Sequence, residues 1–308
     1  MTTMTRTVPK IIVDAFGLTD VGVVRANNED NFIIQSPSNR IATTQSVDGK
    51  VTGEAQGNIF IVADGMGGMA AGEVASQMAV ELVASRLIDQ LKQRSPRSRK
   101  VFAKILTGAV EESNRLVLEE SKKNSELKGM GTTLTAAAIH DTSIFFAQLG
   151  DSRAYLARNG HITQMTKDQS LVAQLVATGA LRPADAKRHP QRNVILQALG
   201  VEPHVDVAIT CADLKRGDRL VLCSDGLWGK IEPNEIEEHL ERFETIAACK
   251  TLVQLARDRG GEDNITVIVA RFDGDGLPQP RPDETPEVAD VKNKSGWRFW
   301  GWWRSKDK

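Results

Sequence analysis

The chain's 308 residues are enough for one large or two ordinary domains with a substantial core. A hydrophobic fraction of 41% and a charged fraction of 26% are ordinary for a globular protein, and a formal net charge of −1 gives no overall attraction to nucleic acid or anionic membrane. Three scattered cysteines, Cys211, Cys223 and Cys249, argue against a disulfide framework or a zinc site and suit a reducing cytosol.

The opening, MTTMTRTVPKIIVD, lacks the apolar stretch of a signal peptide, and no segment approaches the roughly 20 apolar residues that span a bilayer. The first strand expected is NFIIQ (31–35), followed by a polar stretch over 36–57 that reads as a long loop. NIFIVA (58–63) is the next strand. Between 70 and 124 the apolar residues recur at i, i+3 and i+4 in two helical stretches broken near RSPRS. Strands follow at TTLTAAAIH (132–140) and SIFFAQL (143–149), then RLVLCS (219–224), helices over 232–241 and 245–259, and a last strand, NITVIVARF (264–272). Tight Asp and Gly turns in IHDTSIF and LARNGHIT imply antiparallel pairing. The fold class expected is α+β: two packed antiparallel sheets with helices on both outer faces. From Asp273 the chain turns rich in Pro and charge, so 274–308 reads as a linker or disordered tail behind a domain of residues 11–273.

Carboxylates punctuate these strands. IFIVADGMGG ends an apolar run on Asp64, FFAQLGDSR ends one on Asp151 and RLVLCSDGLW ends one on Asp225. GEDNITVIVA sets Asp263 just before a strand, and RANNEDNFII places Glu29 and Asp30 before the first. Rigid strand ends can present such groups to one site, where they repel each other unless a cation compensates. Oxygen donors without interleaved His or Cys point to a hard ion, Mg²⁺ or Mn²⁺. Each Asp alone reads equally well as a turn former or helix cap, and the glycines of GMGG fit either reading.

Taken together, GVVRANNED (22–30), VADGMGGMAAGEVAS (62–76), GMGTTLTAA (129–137), LGDSRAYL (149–156), LCSDGLW (222–228) and GEDNITVIV (261–269) resemble the metal-dependent serine/threonine protein phosphatases of type 2C, over roughly residues 14–272. The resemblance implies that Asp64 bridges two ions, that the Gly65 carbonyl ligates one of them, and that Asp225 and Asp263 complete the pair. Glu29 and Asp30 would hold metal-bound waters as an outer shell, and Asp151 with Asp225 would bind a third, weaker ion. Arg25 would clamp the substrate phosphate with its planar fork of donors. Asn264 would hydrogen-bond a metal-bound water or the phosphate. The implied reaction is hydrolysis of phosphoserine and phosphothreonine on proteins by metal-activated water, opposing a bacterial kinase. The rival is a pseudophosphatase that binds phosphoproteins without turnover. A cysteine-phosphatase loop would need an arginine six positions after its cysteine, where this chain has Gly217, Gly229 and Leu255.

Two departures from the family pattern stand out. Met66 occupies the place of a histidine that animal members use as a proton donor, which fits a bacterial-type member. DQS (168–170) stands where Asp-His-Ser is common, a position expected to lie away from the metal ligands. Residues 168–200 match the family's flap, beside the cleft. The end, KSGWRFWGWWRSKDK, gathers four of the five tryptophans among Lys and Arg, a composition suited to a membrane surface or a partner. The chain is therefore expected to be a cytoplasmic monomer, peripheral at the membrane if the tail makes that contact, with phosphoproteins and no nucleic acid as partners.

Overall fold

Apolar runs such as IFIVA do not alternate with polar residues because the strands they form are covered on both faces. The computed structural model describes residues 10–35, 40–43, 49–54, 57–67 and 71–291. In chain order the strands and helices are β1 (Ile12–Asp20), β2 (Asp30–Gln35), β3 (Arg40–Thr43), β4 (Gly49–Glu54), β5 (Ile59–Met66), α1 (Ala71–Gln93), α2 (Arg99–Lys123), β6 (Gly131–Thr132), β7 (Leu134–His140), β8 (Ser143–Leu149), β9 (Arg153–Arg158), β10 (His161–Gln164), α3 (Leu171–Ala177), α4 (Pro183–Ala186), β11 (Ala208–Asp213), β12 (Arg219–Cys223), α5 (Asp225–Trp228), α6 (Pro233–Arg242), α7 (Thr245–Asp258), β13 (Ile265–Asp273) and β14 (Ala289–Asp290).

Two sheets result, one ordered β10-β9-β12-β13-β1-β4 and the other β14-β11-β8-β7-β5-β2-β3, with β6 paired to the end of β5. Every strand pairing is antiparallel. The period of two along each strand sends neighbours to different cores. In β5, Phe60 and Val62 enter the layer between the sheets, where they meet Ile268 and Phe272 of β13. Ile59 and Ile61 face α1 and α2 with Val83, Phe102 and Leu106. On the opposite outer face Val267 and Val269 pack against Leu252 and Ile236 of the α6–α7 pair. The order of layers is helix, sheet, sheet, helix.

Three expectations need correction. The supposed loop over 36–57 contains β3 and β4, which pair with β2 and β1 as the last strands of the two sheets. Edge position explains the misreading, because cross-strand pairing rather than an apolar run makes such a strand. The strand Ile12–Asp20 was hidden by Asp14, Gly17 and Thr19, which interrupt its apolar pattern. Third, the chain does not leave the domain at 274. Leu277 is buried in the layer between the sheets, Ala289 and Asp290 pair with β11, and the Val291 N–H bonds the Ile209 carbonyl. Arg158, with its side chain 4% exposed, grips Asp218 through two 2.8 Å bonds and reaches Glu284 at 3.3 Å. Asn159 adds bonds to the Arg281 and Glu284 carbonyls. Residues 274–291 are a strap held by the buried Leu277 and by Glu284, which pairs with the buried Arg158 and with Lys215. The Trp-rich segment 292–308 lies outside the described residues, as do Gly68, Met69 and Ala70.

Candidate functional site

The antiparallel register puts the carboxylate-bearing ends of five strands at one end of the sandwich. Asp30 opens β2 directly opposite Asp64 in β5, Asp151 follows β8, Asp225 follows β12, and Asp263 precedes β13. The first three belong to one sheet and the last two to the other, so the site is a seam between sheets. Ser224 stitches it: its N–H bonds the Thr266 carbonyl, its hydroxyl donates to Asp30 Oδ2 at 2.7 Å, and it accepts from the Thr266 N–H at 3.0 Å.

Electrostatics show that the group is crowded. Burial, then the charges of Asp30, Asp225, Asp151 and Asp263, hold the Asp64 carboxyl well above the usual carboxylate range. Burial pushes Asp30 up to about 7 against hydrogen bonds from Ser224 and Thr266, and Asp225 and Asp263 add to the rise. Asp225 is raised to about 6 by burial and by Asp263. Asp151 is raised to about 8 by burial, then by Asp225 and Asp168. Such carboxylates stay ionised together only beside a cation.

Two buried oxygens, Asp30 Oδ1 and Asp225 Oδ1, have no hydrogen-bond partner in the protein. Buried acceptors are rarely left so, and both lie among the repelling carboxylates. Among the described residues no three His, Cys, Asp or Glu side chains by themselves form an ion cage. A hard divalent cation that takes one or two carboxylates and keeps several waters suits that arrangement. The donor set fits Mg²⁺ or Mn²⁺.

Arg25 stands exposed at the rim, 2.8 Å from Asp263 through Nη2. Partial burial opposes its charge, but Asp263, Glu29 and Asp64 raise its pKa above the ordinary value. Its loop is braced. The Gly22 N–H and Arg257 Nη1 both donate to Asp20 Oδ1, at 2.8 and 2.5 Å, and the Val23 N–H bonds the Gly261 carbonyl at 2.7 Å. Gly22 adopts φ +82, and a Cβ there would lie 2.3 Å from the Asp263 carbonyl oxygen, so only glycine lets the loop lie this close.

Asn264 is bonded to the loop that precedes β2. Its Oδ1 accepts from the Glu29 N–H at 2.8 Å, and its Nδ2 donates to the Val21 and Asn27 carbonyls at 2.9 and 3.0 Å. With 5% exposure and both amide hydrogens used, it braces the 21–29 loop. Glu29 is fixed in turn through its backbone carbonyl, which accepts from Gly65 N–H and the Ser76 hydroxyl. Gly65 is packed so closely that a Cβ would meet the Gly72 carbonyl oxygen at 2.2 Å.

The sequence reading missed the polar frame behind Asp64. The Asp64 N–H donates to Thr133 Oγ1 at 3.0 Å, and its carbonyl accepts from Thr132 Oγ1 and the Thr133 N–H. Thr133 Oγ1 lies 2.8 Å from Ser152 Oγ, and Gln148 Nε2 spans the Gly150 and Ser152 carbonyls. Asp64 and the loop of Asp151 are therefore held by one buried network, whose sequence signal was the run of hydroxyl residues inside GTTLTAA and GDS. The 168–170 block also lies nearer the site than expected. Arg153 clamps Asp168 through Nε and Nη2 at 2.6–3.1 Å and lies 3.7 Å from the Trp228 ring centroid. Gln169 exchanges bonds with the Gly150 N–H and carbonyl. On the flap, Arg192 is exposed, His189 is partly buried, and neither touches the carboxylates through any hydrogen bond described.

Comparison with known proteins is decisive for the family. The sequence profile of "Protein phosphatase 2C" matches residues 46–261. The serine/threonine phosphatase stp of Listeria monocytogenes serotype 4b is 36% identical over 257 residues, covering 83% of this chain and 94% of that protein. The chain belongs to the protein phosphatase 2C family. Serine/threonine protein phosphatase PstP of Mycobacterium tuberculosis is 38% identical over 82% of this chain, which spans 43% of PstP. The crystal structure of the PstP catalytic domain in complex with two manganese ions superposes with a TM-score of 0.68 at 33% identity, over 85% of this chain and 99% of that one. The α+β sandwich with its two antiparallel sheets is the fold of this phosphatase 2C group.

Proposed function

We propose that the seam of carboxylates is the active site of a metal-dependent protein phosphatase acting on phosphoserine and phosphothreonine. The observation that carries this reading is the convergence of Asp30, Asp64, Asp151, Asp225 and Asp263 from both sheets into one mutually repelling, largely buried group beside an exposed arginine. Asp64, Asp225, Asp263 and the Gly65 carbonyl would hold two ions, Asp151 with Asp225 a weaker third, and Glu29 and Asp30 would orient the water around them. When bound, the ions supply a nucleophile from water near neutral pH and offset the charge gathering on the phosphoryl oxygens.

The chain's own residues do the rest. Arg25 offers a fork of donors, and its exposed position leaves donors beyond the Asp263 bond for two phosphate oxygens. Thr132 and Thr133, the latter backed by Ser152, fix the backbone of Asp64 and so the point from which its carboxylate enters the site. Met66 has no proton to give, so the leaving hydroxyl takes its proton from solvent. The retained acids favour turnover over mere phosphoprotein binding. The substrates fitting this reading are proteins phosphorylated by a bacterial serine/threonine kinase.

With a phosphothreonine peptide, turnover is expected in Mn²⁺ or Mg²⁺ and none in EDTA; steady hydrolysis in EDTA would refute the mechanism. Among the described residues no helix is long and apolar enough to cross a membrane. We read residues 292–308, with four tryptophans and six Lys or Arg, as a contact for a membrane surface or a partner. The full chain should sediment with anionic vesicles and a chain ending at residue 291 should not; equal sedimentation would remove the membrane reading.

A further inference from the structure

Arg153 is the second arginine held in a polar clamp in this fold, and it has no strap to fasten. Its side chain is 19% exposed. Nε and Nη2 grip both oxygens of Asp168 at 2.6–3.1 Å, and Nη1 donates to the Tyr155 hydroxyl at 3.1 Å. The flat face of the guanidinium lies on the Trp228 ring. All three nitrogens are thus engaged inside the protein, in contrast to the exposed Arg25.

The surroundings of the clamp give it a purpose. Arg153 lies two residues after Asp151 and directly opposite Cys223, which is two residues before Asp225. Each arm of the clamp leads back to one of those acids. Asp168, held from its other side by Gln164 at 3.0 Å, is followed by Gln169. The Gln169 Oε1 accepts from the Gly150 N–H at 2.9 Å, and its own N–H donates to the Gly150 carbonyl at 2.8 Å. The turn that carries Asp151 is therefore closed by the 168–169 pair. Trp228 ends α5, the single turn that Asp225 opens.

Asp151 follows a strand of one sheet and Asp225 a strand of the other, so strand pairing alone does not fix the distance between their carboxylates. Something must bridge the two supports. A guanidinium can do so because its planar fork holds a carboxylate through paired bonds while its face stacks on an aromatic ring. A cation shared by two acids is bound only as well as they are spaced, and partners behind the ligands set that spacing.

We propose that Arg153 is a positioning residue that sets the places of Asp151 and Asp225, and thereby the affinity for the weaker, third cation. This rests on the phosphatase reading above, in which those two acids share that ion. Among the bonds described Arg153 is joined to neither acid; it acts through Gly150 and through α5.

The test is calorimetric titration of the full chain with Mn²⁺. Arg153→Lys keeps the charge near the site and removes the fork and the stacking face. It should weaken the third site by roughly tenfold, the scale of a lost outer partner, and leave the tight pair within about twofold. Gln169→Ala, which cuts one bond to Gly150 without changing charge, should weaken the same site by a smaller factor. In the Asp151→Asn background, which removes the third site, Arg153→Lys should cost no further kcat on a phosphothreonine peptide. A lower Tm is expected of any loosened clamp; weakening of one site out of three is not. The proposal is overturned if Arg153→Lys leaves the third site unchanged, weakens all sites in parallel, or lowers kcat as much in the Asp151→Asn background. Two ions and no third in the unaltered chain would overturn it alone, whereas no Mn²⁺ binding at all would overturn the phosphatase reading with it.

Discussion

Asp64→Asn should lose activity on the order of a thousandfold while making the metal-free protein more stable. The loss follows from removing a charge at the centre of the cation site, the scale of deleting one preorganised charge-stabilising group. The gain follows from the same burial. In the metal-free protein Asp64 sits among Asp30, Asp151, Asp225 and Asp263, and each repels it. An amide keeps the shape and removes the repulsion, so activity and stability move in opposite directions.

The sign with pH is fixed by the raised carboxyls. Asp225, Asp30 and Asp151 titrate in the folded chain at about 6, 7 and 8, all above the unfolded value for aspartate. The folded state therefore binds more protons than the unfolded one across this window, and stability falls as pH rises through it. In EDTA, Tm should drop between pH 6 and pH 8. Saturating Mn²⁺ should cancel or reverse the slope, because the ion replaces the protons. Asp64→Asn should flatten the EDTA slope. Thermal melts at three pH values, with calorimetric Mn²⁺ titration, make the check. An EDTA slope that is flat in the parent, or an Asp64→Asn protein with full activity, would contradict the site.

Arg158→Ala should cost about 3–5 kcal/mol, the penalty for leaving a buried partner charge uncompensated. The Asp218 side chain is wholly buried, and burial already raises its carboxyl against the pull of Arg158. Without the guanidinium the acid loses two bonds, and Glu284 and the Asp213 carbonyl each lose a donor. Arg158→Lys should recover little, because one ammonium cannot reproduce the paired geometry. A chain ending at Asp273 should fare worse still: it also uncovers the place of Leu277 and the backbone of β11. Urea unfolding of the Mn²⁺-loaded protein gives the measurement. A loss under about 1 kcal/mol would mean that the strap is only loosely attached.

The site's acids were legible because a charge ending a long apolar run conflicts with burial unless something requires it. Asp64, Asp151 and Asp225 carried that signal, Asp263 showed only as an acid set just before a strand, and the structure brings all four together. The bracing by Asn264 carried no such signal: an amide before a strand looks alike whatever it holds, and its three bonds to Val21, Asn27 and Glu29 appear only in the fold. The Thr132–Thr133–Ser152 frame was hidden because hydroxyls inside strands are common and their partners are distant in the chain. The strands β3 and β4 and the strap were misread for a shared reason: each is made by pairing or an ion contact with a remote element, which composition does not record. Leu277 and Glu284 lie among prolines and charges, and their buried partners lie in β9, β12 and β13.

The strap also sets a starting point for whatever follows it. The pair Ala289–Asp290 runs antiparallel to β11, so residue 291 points toward the end of the sandwich that holds the acids. Two steps across the sheet, at about 4.8 Å each, separate it from β8, which leads into Gly150 and Asp151. Residue 291 therefore lies about 10 Å across the sheet from β8, level with Ala147 and four residues short of Asp151. Tethering over so short a span gives a local concentration on the order of millimolar. A segment with only millimolar affinity for the opening, or for a protein held there, would be engaged about half the time.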